Sequence, residues 1–209
     1  MQADVSQAGG LLPLLLSAAL ISLSGVMMPG PLFVVTVAKG RRSPAAGAWI
    51  AIGHGLVEFP LMLLIYAGVA QFFTVRPVQI AIGIIGGAVL LWMGYGMIRT
   101  PAKETSGTDT GQNPVLAGVL TTLGNPYFFL WWVTVGSLLI SQSLRFGFFG
   151  FAALAVVHWL CDFTWDTLVS SLTYRSRRLW TPLVHRVVFA LCGLTLIGFG
   201  VYFAVSVLP

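Results

Sequence analysis

Six long apolar stretches dominate the chain, and short polar segments separate them. Four of the stretches contain no charged residue and no histidine, and two others are equally apolar except for a few ionisable positions. Each is long enough to cross a hydrocarbon core of about 30 Å as a helix, and none alternates in the manner of a barrel strand. The pattern predicts an all-α membrane protein with six transmembrane helices, at residues 11–38, 44–73, 78–98, 115–141, 146–173 and 187–208.

The composition agrees with this class of protein. Of the 209 residues, 57% are hydrophobic and 8% are charged, whereas about 25% of the residues of a soluble domain are charged. The sequence shows no nucleophile paired with a base, no nucleotide-binding loop and no Cys-x-x-Cys pair. We therefore expect a protein that is not an enzyme and that needs no cofactor.

Basic residues are distributed unevenly among the loops. Nine lysines and arginines follow the first, third and fifth predicted helices, whereas only Arg76 and Arg145 lie on the opposite side. The positive-inside rule places the richer loops in the cytoplasm and both termini outside it, in the cell (inner) membrane. The positive charge thus indicates topology and contact with the lipid bilayer, and no nucleic acid is expected as a partner.

The polar segment 99–114 divides the chain into two halves of three predicted helices, residues 1–98 and 115–209. A trio of histidine, carboxylate and phenylalanine recurs in the two halves 104 residues apart, and a Gly-aromatic-Gly triplet recurs at that offset. A proline-containing break falls in the first helix of each half. Because three helices per half is an odd number, the sequence predicts a 3+3 inverted-topology repeat of the kind found in secondary transporters.

The recurring trios place ionisable side chains deep in the membrane. They contribute His54 with Glu58 and His158 with Asp162, and Asp166 follows one turn later. Both histidines lie roughly 15–18 Å from a helix end, and a spacing of four puts each one over a carboxylate on the same helix face. Such residues usually face the bundle interior or a wet cavity, so a functional site is the leading interpretation. Hydrogen bonds that only hold the helices together are the alternative.

The breaks in the first and fourth predicted helices lie at Pro29, Gly30 and Pro31 and at Asn125 and Pro126. Two prolines flanking a glycine remove backbone donors and permit unusual torsions, so the helix is expected to unwind. The half-helix that follows points free N–H groups and a positive dipole end at the cavity. Both breaks are therefore predicted to bind a carboxylate or another anion, with the amide of Asn125 assisting.

The tryptophans divide into two groups by position. Trp131 and Trp132 are expected to pack in the bundle or to lie at the membrane interface. Trp159 directly follows His158 and is the aromatic side chain best placed to take part in the site.

Five segments carry a resemblance to a known family: 29–47, 53–59, 86–99, 125–132 and 192–203, which include the Pro-Gly-Pro and Asn-Pro breaks. In these segments, and over nearly the whole chain, the sequence resembles the lysine exporter (LysE) family of amino-acid efflux proteins. The resemblance implies export of amino acids in exchange for protons. It also implicates the residues of both breaks, Pro29, Gly30, Pro31, Asn125 and Pro126.

Two mechanisms remain open for these residues. In amino-acid export, the substrate's carboxylate binds at the two breaks and its ammonium faces Glu58 and Asp162. Glu58, Asp162 and Asp166 then couple substrate exit to proton entry, and the histidines modulate them or carry the proton. In the alternative, divalent metal-ion efflux, the ligands are His54, Glu58, His158 and Asp162.

The predicted partners follow from these mechanisms. They are a small amino-acid substrate, a coupling proton or cation, and the lipid bilayer. The sequence leaves open the identity of the amino acid or ion and the formation of a homodimer.

Overall fold

The structure, a computed structural model, describes residues 10–27, 30–69, 72, 75–99, 113–179 and 181–207, apart from the side chain of residue 185. Within these ranges the chain is helical and contains no strand, which confirms the all-α prediction. Most of the polar segment 99–114 lies outside the described residues, and so does the predicted site residue Pro29.

Nine α-helices make up most of the described chain, and we label them α1 to α9. A π-helical turn, Trp132–Gly136, joins α6 to α7, and short 3-10 turns follow α7 and α8. The helices are α1 (Leu11–Val26), α2 (Pro31–Gly40), α3 (Ala46–Tyr66), α4 (Arg76–Ile98), α5 (Pro114–Leu123), α6 (Pro126–Trp131), α7 (Ser137–Ser143), α8 (Gly147–Ser176) and α9 (Pro182–Ser206).

Four helical segments are long and apolar enough to cross a membrane: α3, α4, α9 and the stretch Pro126–Leu179. Helices α1 and α2 form a pair bent by 74°, which would count as a fifth span. The stretch Pro126–Leu179 holds 54 residues and contains a turn at Gly147, where φ is +62°. By length and composition the described helices thus amount to four or five spans, and the six-helix arrangement stays a prediction.

Local capping explains where α5 begins. The side-chain oxygen of Asn113 accepts a hydrogen bond from the Val115 N–H at 3.0 Å. Pro114 occupies the first helical position, where the missing N–H costs nothing because that donor has no partner within the helix. At the start of α9, Thr181 is followed by Pro182, and the Thr181 hydroxyl oxygen accepts a hydrogen bond from the Val184 N–H at 3.2 Å.

Helix α3 lies at the centre of the bundle, between α5 and α8. A Cβ atom at Gly53 would collide with the backbone carbonyl of Val115 on α5. A Cβ atom at Gly47 would likewise collide with the backbone carbonyl of Asp166 on α8. Glycines therefore set the close approach of α3 to both neighbours, as small residues do in membrane helix packing.

Helices α4 and α9 form a second closely packed pair, and they run antiparallel. A Cβ atom at Gly94 would lie 2.6 Å from the carbonyl oxygen of Gly193, and a Cβ atom at Gly193 would lie 2.6 Å from that of Gly94. Gly87 and Gly200 face one another in the same reciprocal way. The contact between the two helices is thus built from two glycine pairs.

Two apolar clusters fill the interior, and α3 contributes to both. Ile50 belongs to one cluster and Leu61 to the other. His54 and Glu58 lie between these two positions on α3. The ionisable residues are therefore placed at mid-height, with apolar packing on either side.

Candidate functional site

A cavity of about 330 Å³ lies among helices α1, α2, α3, α5, α6, α8 and α9. This volume is at the lower end of the range typical of small-molecule sites. Most of the predicted site residues line it, whereas Pro126 does not, and no lysine or arginine of the described chain does. The predicted residues at the cavity wall are Gly30, Pro31, His54, Glu58, Asn125, His158, Asp162 and Asp166.

Glu58 lies at the centre of the polar network and is fully buried. Its Oε1 atom lies 3.1 Å from Nε2 of His54 and 3.1 Å from Nε2 of His158, and it accepts a hydrogen bond from Nε1 of Trp132 at 3.3 Å. Its other oxygen, Oε2, has no hydrogen-bond partner in the described chain. One carboxylate oxygen thus joins α3, α8 and the π-helical turn.

The hydrogen bonds of His54 determine which of its ring nitrogens carries a proton. Nδ1 lies 2.8 Å from Oγ1 of Thr122, and this hydroxyl donates its only proton to the carbonyl of Gly118 at 2.7 Å. Thr122 therefore accepts from His54, and Nδ1 carries a proton. The bond from Nε2 to Glu58 then requires a second proton, carried either by the imidazole ring or by the Glu58 carboxyl.

His158 makes the corresponding contacts with a different second partner. Its Nδ1 atom lies 2.6 Å from Oγ of Ser22 on α1. The Ser22 hydroxyl can donate to Nδ1, because it donates to no carbonyl in the described chain. A neutral His158 with its proton on Nε2 then satisfies both Ser22 and Glu58.

Asp162 and Asp166 lie one turn apart on α8, and both are buried. Asp162 also lies near both histidines, with Oδ1 at 3.9 Å from Nε2 of His54 and Oδ2 at 3.5 Å from Nε2 of His158. Asp166 accepts a hydrogen bond from the Thr36 hydroxyl at 3.0 Å. The second oxygen of each, Oδ2, has no hydrogen-bond partner in the described chain.

Aromatic rings enclose the histidines. Trp131 and Trp132 lie with ring centroids 5.1 and 4.7 Å from that of His158, and Phe128 meets the ring of His54 edge-on at 5.2 Å. A Cβ atom at Gly136 would collide with the Trp132 indole, so this glycine provides the space for the ring. The π-helical turn, a feature often found at functional sites, thereby directs an N–H donor at Glu58.

The two predicted anion-binding ends differ in their donors. At the start of α2, Pro31 has no N–H, so the first donors belong to Leu32 and Phe33, and both residues line the cavity. At the start of α6, the side-chain oxygen of Asn125 accepts from the Tyr127 N–H at 3.1 Å. The Asn125 oxygen therefore caps its own helix, and its NH2 group is the donor left for a ligand.

The ionisable cluster also meets the distance requirement of a metal site. One ligand atom each from His54, Glu58 and Asp162 lie within 4.8 Å of one another, and all three residues are buried. Two carboxylates and an imidazole are a suitable donor set for zinc or manganese.

Sequence reasoning missed the hydroxyl and indole partners of these residues. Ser22, Thr36, Thr122 and Trp132 all bind the ionisable side chains directly. The available signal was weak: Ser22 and Thr122 precede the two breaks by a few residues. Trp159, which we expected to be better placed, instead donates to the Ala51 carbonyl at 3.0 Å and does not line the cavity.

A family model described as LysE type translocator matches residues 23–207, which include every site residue described above except Ser22. The chain belongs to the LysE type translocator family. Members of this family are transporters and not enzymes, so the prediction of a membrane transport protein without enzymatic activity is confirmed.

Several relatives match over almost their whole length. The threonine efflux protein of Escherichia coli (strain K12) is 28% identical over 94% of this chain and 100% of that protein. The threonine efflux protein of Salmonella typhi is 26% identical over the same shares. The chemotactic transduction protein ChpE of Pseudomonas aeruginosa is 27% identical over 90% of this chain and 96% of that protein. No solved structure matches the chain.

Proposed function

We propose that this protein is a secondary active transporter that exports amino acids across the cell (inner) membrane by alternating access. One observation carries the proposal: the same cavity brings three carboxyl groups together with the N-terminal end of α2. An amino acid needs these two environments, one for its ammonium and one for its carboxylate. The efflux functions named for the Escherichia coli and Salmonella relatives support the same substrate class.

The substrate's carboxylate binds at the two helix starts. The Leu32 and Phe33 amides and the positive end of the α2 dipole attract an anion. The NH2 group of Asn125 supplies a further donor from the α6 side. Pro29 and Pro126 act by interrupting their helices and contribute no donor themselves.

The ammonium binds among the carboxyl groups, and proton entry drives its release. Glu58, Asp162 and Asp166 give the cavity an excess of acidic groups, and no described lysine or arginine at its wall offsets them. Protonation of these carboxyl groups weakens the hold on an ammonium. Substrate exit is thereby coupled to proton entry, with His54 and His158 as the groups that relay the proton.

The proposed transport cycle rests on an inverted 3+3 repeat with both termini outside the cytoplasm. Two symmetrical arrangements support it. The first is the reciprocal packing of the glycine pairs of α4 and α9. In the second, each histidine contacts a hydroxyl on a bent or broken helix of the other half: His54 contacts Thr122, and His158 contacts Ser22. The halves rock about the midplane site and expose it alternately to either side. Pairing of two protomers in the bilayer is compatible with this cycle and is not required for it.

Divalent metal-ion efflux is the second candidate function, because His54, Glu58 and Asp162 are close enough to share one ion. His158, the fourth predicted ligand, hydrogen-bonds to Glu58 in the same cluster. The two helix starts, however, have no role in binding a cation.

A thermal-stability screen in detergent separates the two candidates. The purified protein is tested against the twenty common amino acids and against zinc and manganese. A ligand at 100 times its dissociation constant stabilises by about 2.7 kcal/mol if it binds only the folded state. We expect one or a few amino acids to raise the unfolding temperature and to be transported by proteoliposomes under a proton gradient. A shift with metal ions alone would replace amino-acid export by metal efflux.

A further inference from the structure

Glu58 and Asp162 line the same cavity but differ in their hydrogen bonding. Oε1 of Glu58 already has three nitrogen atoms within hydrogen-bond distance, from His54, His158 and Trp132. In the described chain, no side chain of another residue forms a hydrogen bond to the Asp162 carboxyl. Both histidine nitrogens lie nearer to Glu58, at 3.1 Å, than to Asp162, at 3.9 and 3.5 Å.

The exposed fractions of the two side chains also differ. The side chain of Glu58 is 0% exposed, whereas that of Asp162 is 6% exposed. A ligand would have to displace a histidine or tryptophan N–H to reach Oε1 of Glu58. It can reach Asp162 without breaking any hydrogen bond described here.

Buried carboxylate oxygens are nearly always hydrogen-bonded, so an oxygen without a donor indicates a missing partner. Oδ2 of Asp162 is such an oxygen. An ammonium group has three N–H donors and a positive charge. It is therefore the ligand group that can supply the hydrogen-bond donor that Oδ2 of Asp162 lacks. Glu58 also has one oxygen without a donor, but its other oxygen already contacts three nitrogen atoms.

We infer that Asp162 binds the substrate's ammonium group, whereas Glu58 is a positioning residue that holds His54 and His158 in place. This assignment rests on the proposed amino-acid export and refines it. Asp162 then determines specificity for an amino acid over the corresponding hydroxy acid. Glu58 instead holds the two histidines in one orientation, and this orientation leaves Asp162 free for the ligand.

The test compares two ligands that differ only at the group in question. Threonine and 2,3-dihydroxybutanoate, which carries a hydroxyl in place of the ammonium, are titrated against the wild-type protein, Asp162→Asn and Glu58→Gln. Each variant removes one carboxylate and keeps the side-chain shape, so the two are matched controls for one another. Binding is measured in detergent at equilibrium, because transport by Glu58→Gln is expected to fall.

The wild-type protein should prefer threonine by at least roughly tenfold, since a hydrogen bond to a charged group is lost with the hydroxy acid. In Asp162→Asn this preference should disappear. In Glu58→Gln the preference should persist, even though the histidines lose their anchor and transport slows. Loss of the preference in Glu58→Gln, or its persistence in Asp162→Asn, would overturn the assignment.

Three further outcomes are covered by the test. If Asp162→Asn does not fold, Asp162→Glu and Glu58→Asp are compared instead, and only the former should change the threonine preference. If the wild-type protein binds another amino acid and not threonine, that amino acid and its hydroxy acid replace the pair. A wild-type protein that binds no amino acid refutes the proposed function itself, an outcome distinct from failure of the Asp162 assignment.

Discussion

The two histidines of the site belong to the trios that recur 104 residues apart in the sequence, yet their surroundings differ. Nε2 of each lies 3.1 Å from Oε1 of Glu58, and Nδ1 of each contacts a hydroxyl. For His54 the hydroxyl belongs to Thr122, whose proton is already directed to the Gly118 carbonyl. For His158 it belongs to Ser22, whose proton is free to turn toward the ring.

This difference shows that a sequence repeat does not make two sites chemically equal. His54 carries a proton on Nδ1, so its bond to Glu58 needs one more proton on the pair. His158 can be neutral and still satisfy both neighbours. The half containing His54 therefore holds an additional proton in this arrangement, and the half containing His158 does not need one.

Replacing either histidine by alanine is the strongest test of their shared role. His54→Ala and His158→Ala each remove one donor from Oε1 of Glu58 and leave the buried carboxyl less well compensated, at a cost of about 3–5 kcal/mol. We expect both variants to lose transport in proteoliposomes to a similar degree. Cys192→Ala, on α9 and away from the cavity wall, is the control that should keep transport. Normal transport by either histidine variant would remove that residue from the mechanism.

The glycine pairs of α4 and α9 test whether the two halves are packed equivalently. Gly94→Ala and Gly200→Ala each force a Cβ atom against a glycine carbonyl of the other helix, and overpacking of this kind costs about 1–3 kcal/mol. Unfolding in mixed detergent micelles should show similar losses for the two variants.

The neighbouring glycines supply a matched control for these substitutions. Gly96 and Gly198 belong to the same Gly-aromatic-Gly triplets, and a Cβ atom at either position has no neighbour within 4 Å. Gly96→Ala and Gly198→Ala should be neutral or stabilising, by up to about 1 kcal/mol, because alanine favours the helix. Equal losses at all four glycines would contradict the packing described here.

The hydroxyl partners provide the finest test of the difference between the histidines. Thr122→Val keeps the side-chain shape but leaves the Nδ1 proton of His54 buried without an acceptor, at a cost of about 1–3 kcal/mol. Ser22→Ala leaves only an acceptor nitrogen of a neutral His158 without a donor, and we expect a smaller loss of stability. Thr122→Ser should restore the wild-type value. Equal losses for Thr122→Val and Ser22→Ala would show that both rings carry their protons in the same way.

Much of the helical content and the identity of the ionisable cluster could be predicted from the sequence. Apolar length identified membrane helices, although α9 begins at Pro182, ahead of the predicted start at residue 187. A spacing of four correctly placed Glu58 within reach of His54. For His158 the same rule suggested Asp162, but the ring is hydrogen-bonded to Glu58 of α3, because cross-helix distance overrides local spacing when two helices pack closely.

The sequence by itself determined that the protein is helical and lies in a membrane, because a long apolar run can satisfy its backbone in lipid only as a helix. It also determined which positions carry ionisable groups, since those are costly in an apolar stretch. Only the tertiary structure decided that Glu58 is the common partner of both histidines and that Thr122, Ser22 and Trp132 complete the network. Apart from the contact between His54 and Glu58, these contacts join residues 68 to 136 positions apart. Glycine-mediated helix approach brings them together in space, which no local pattern of residues encodes.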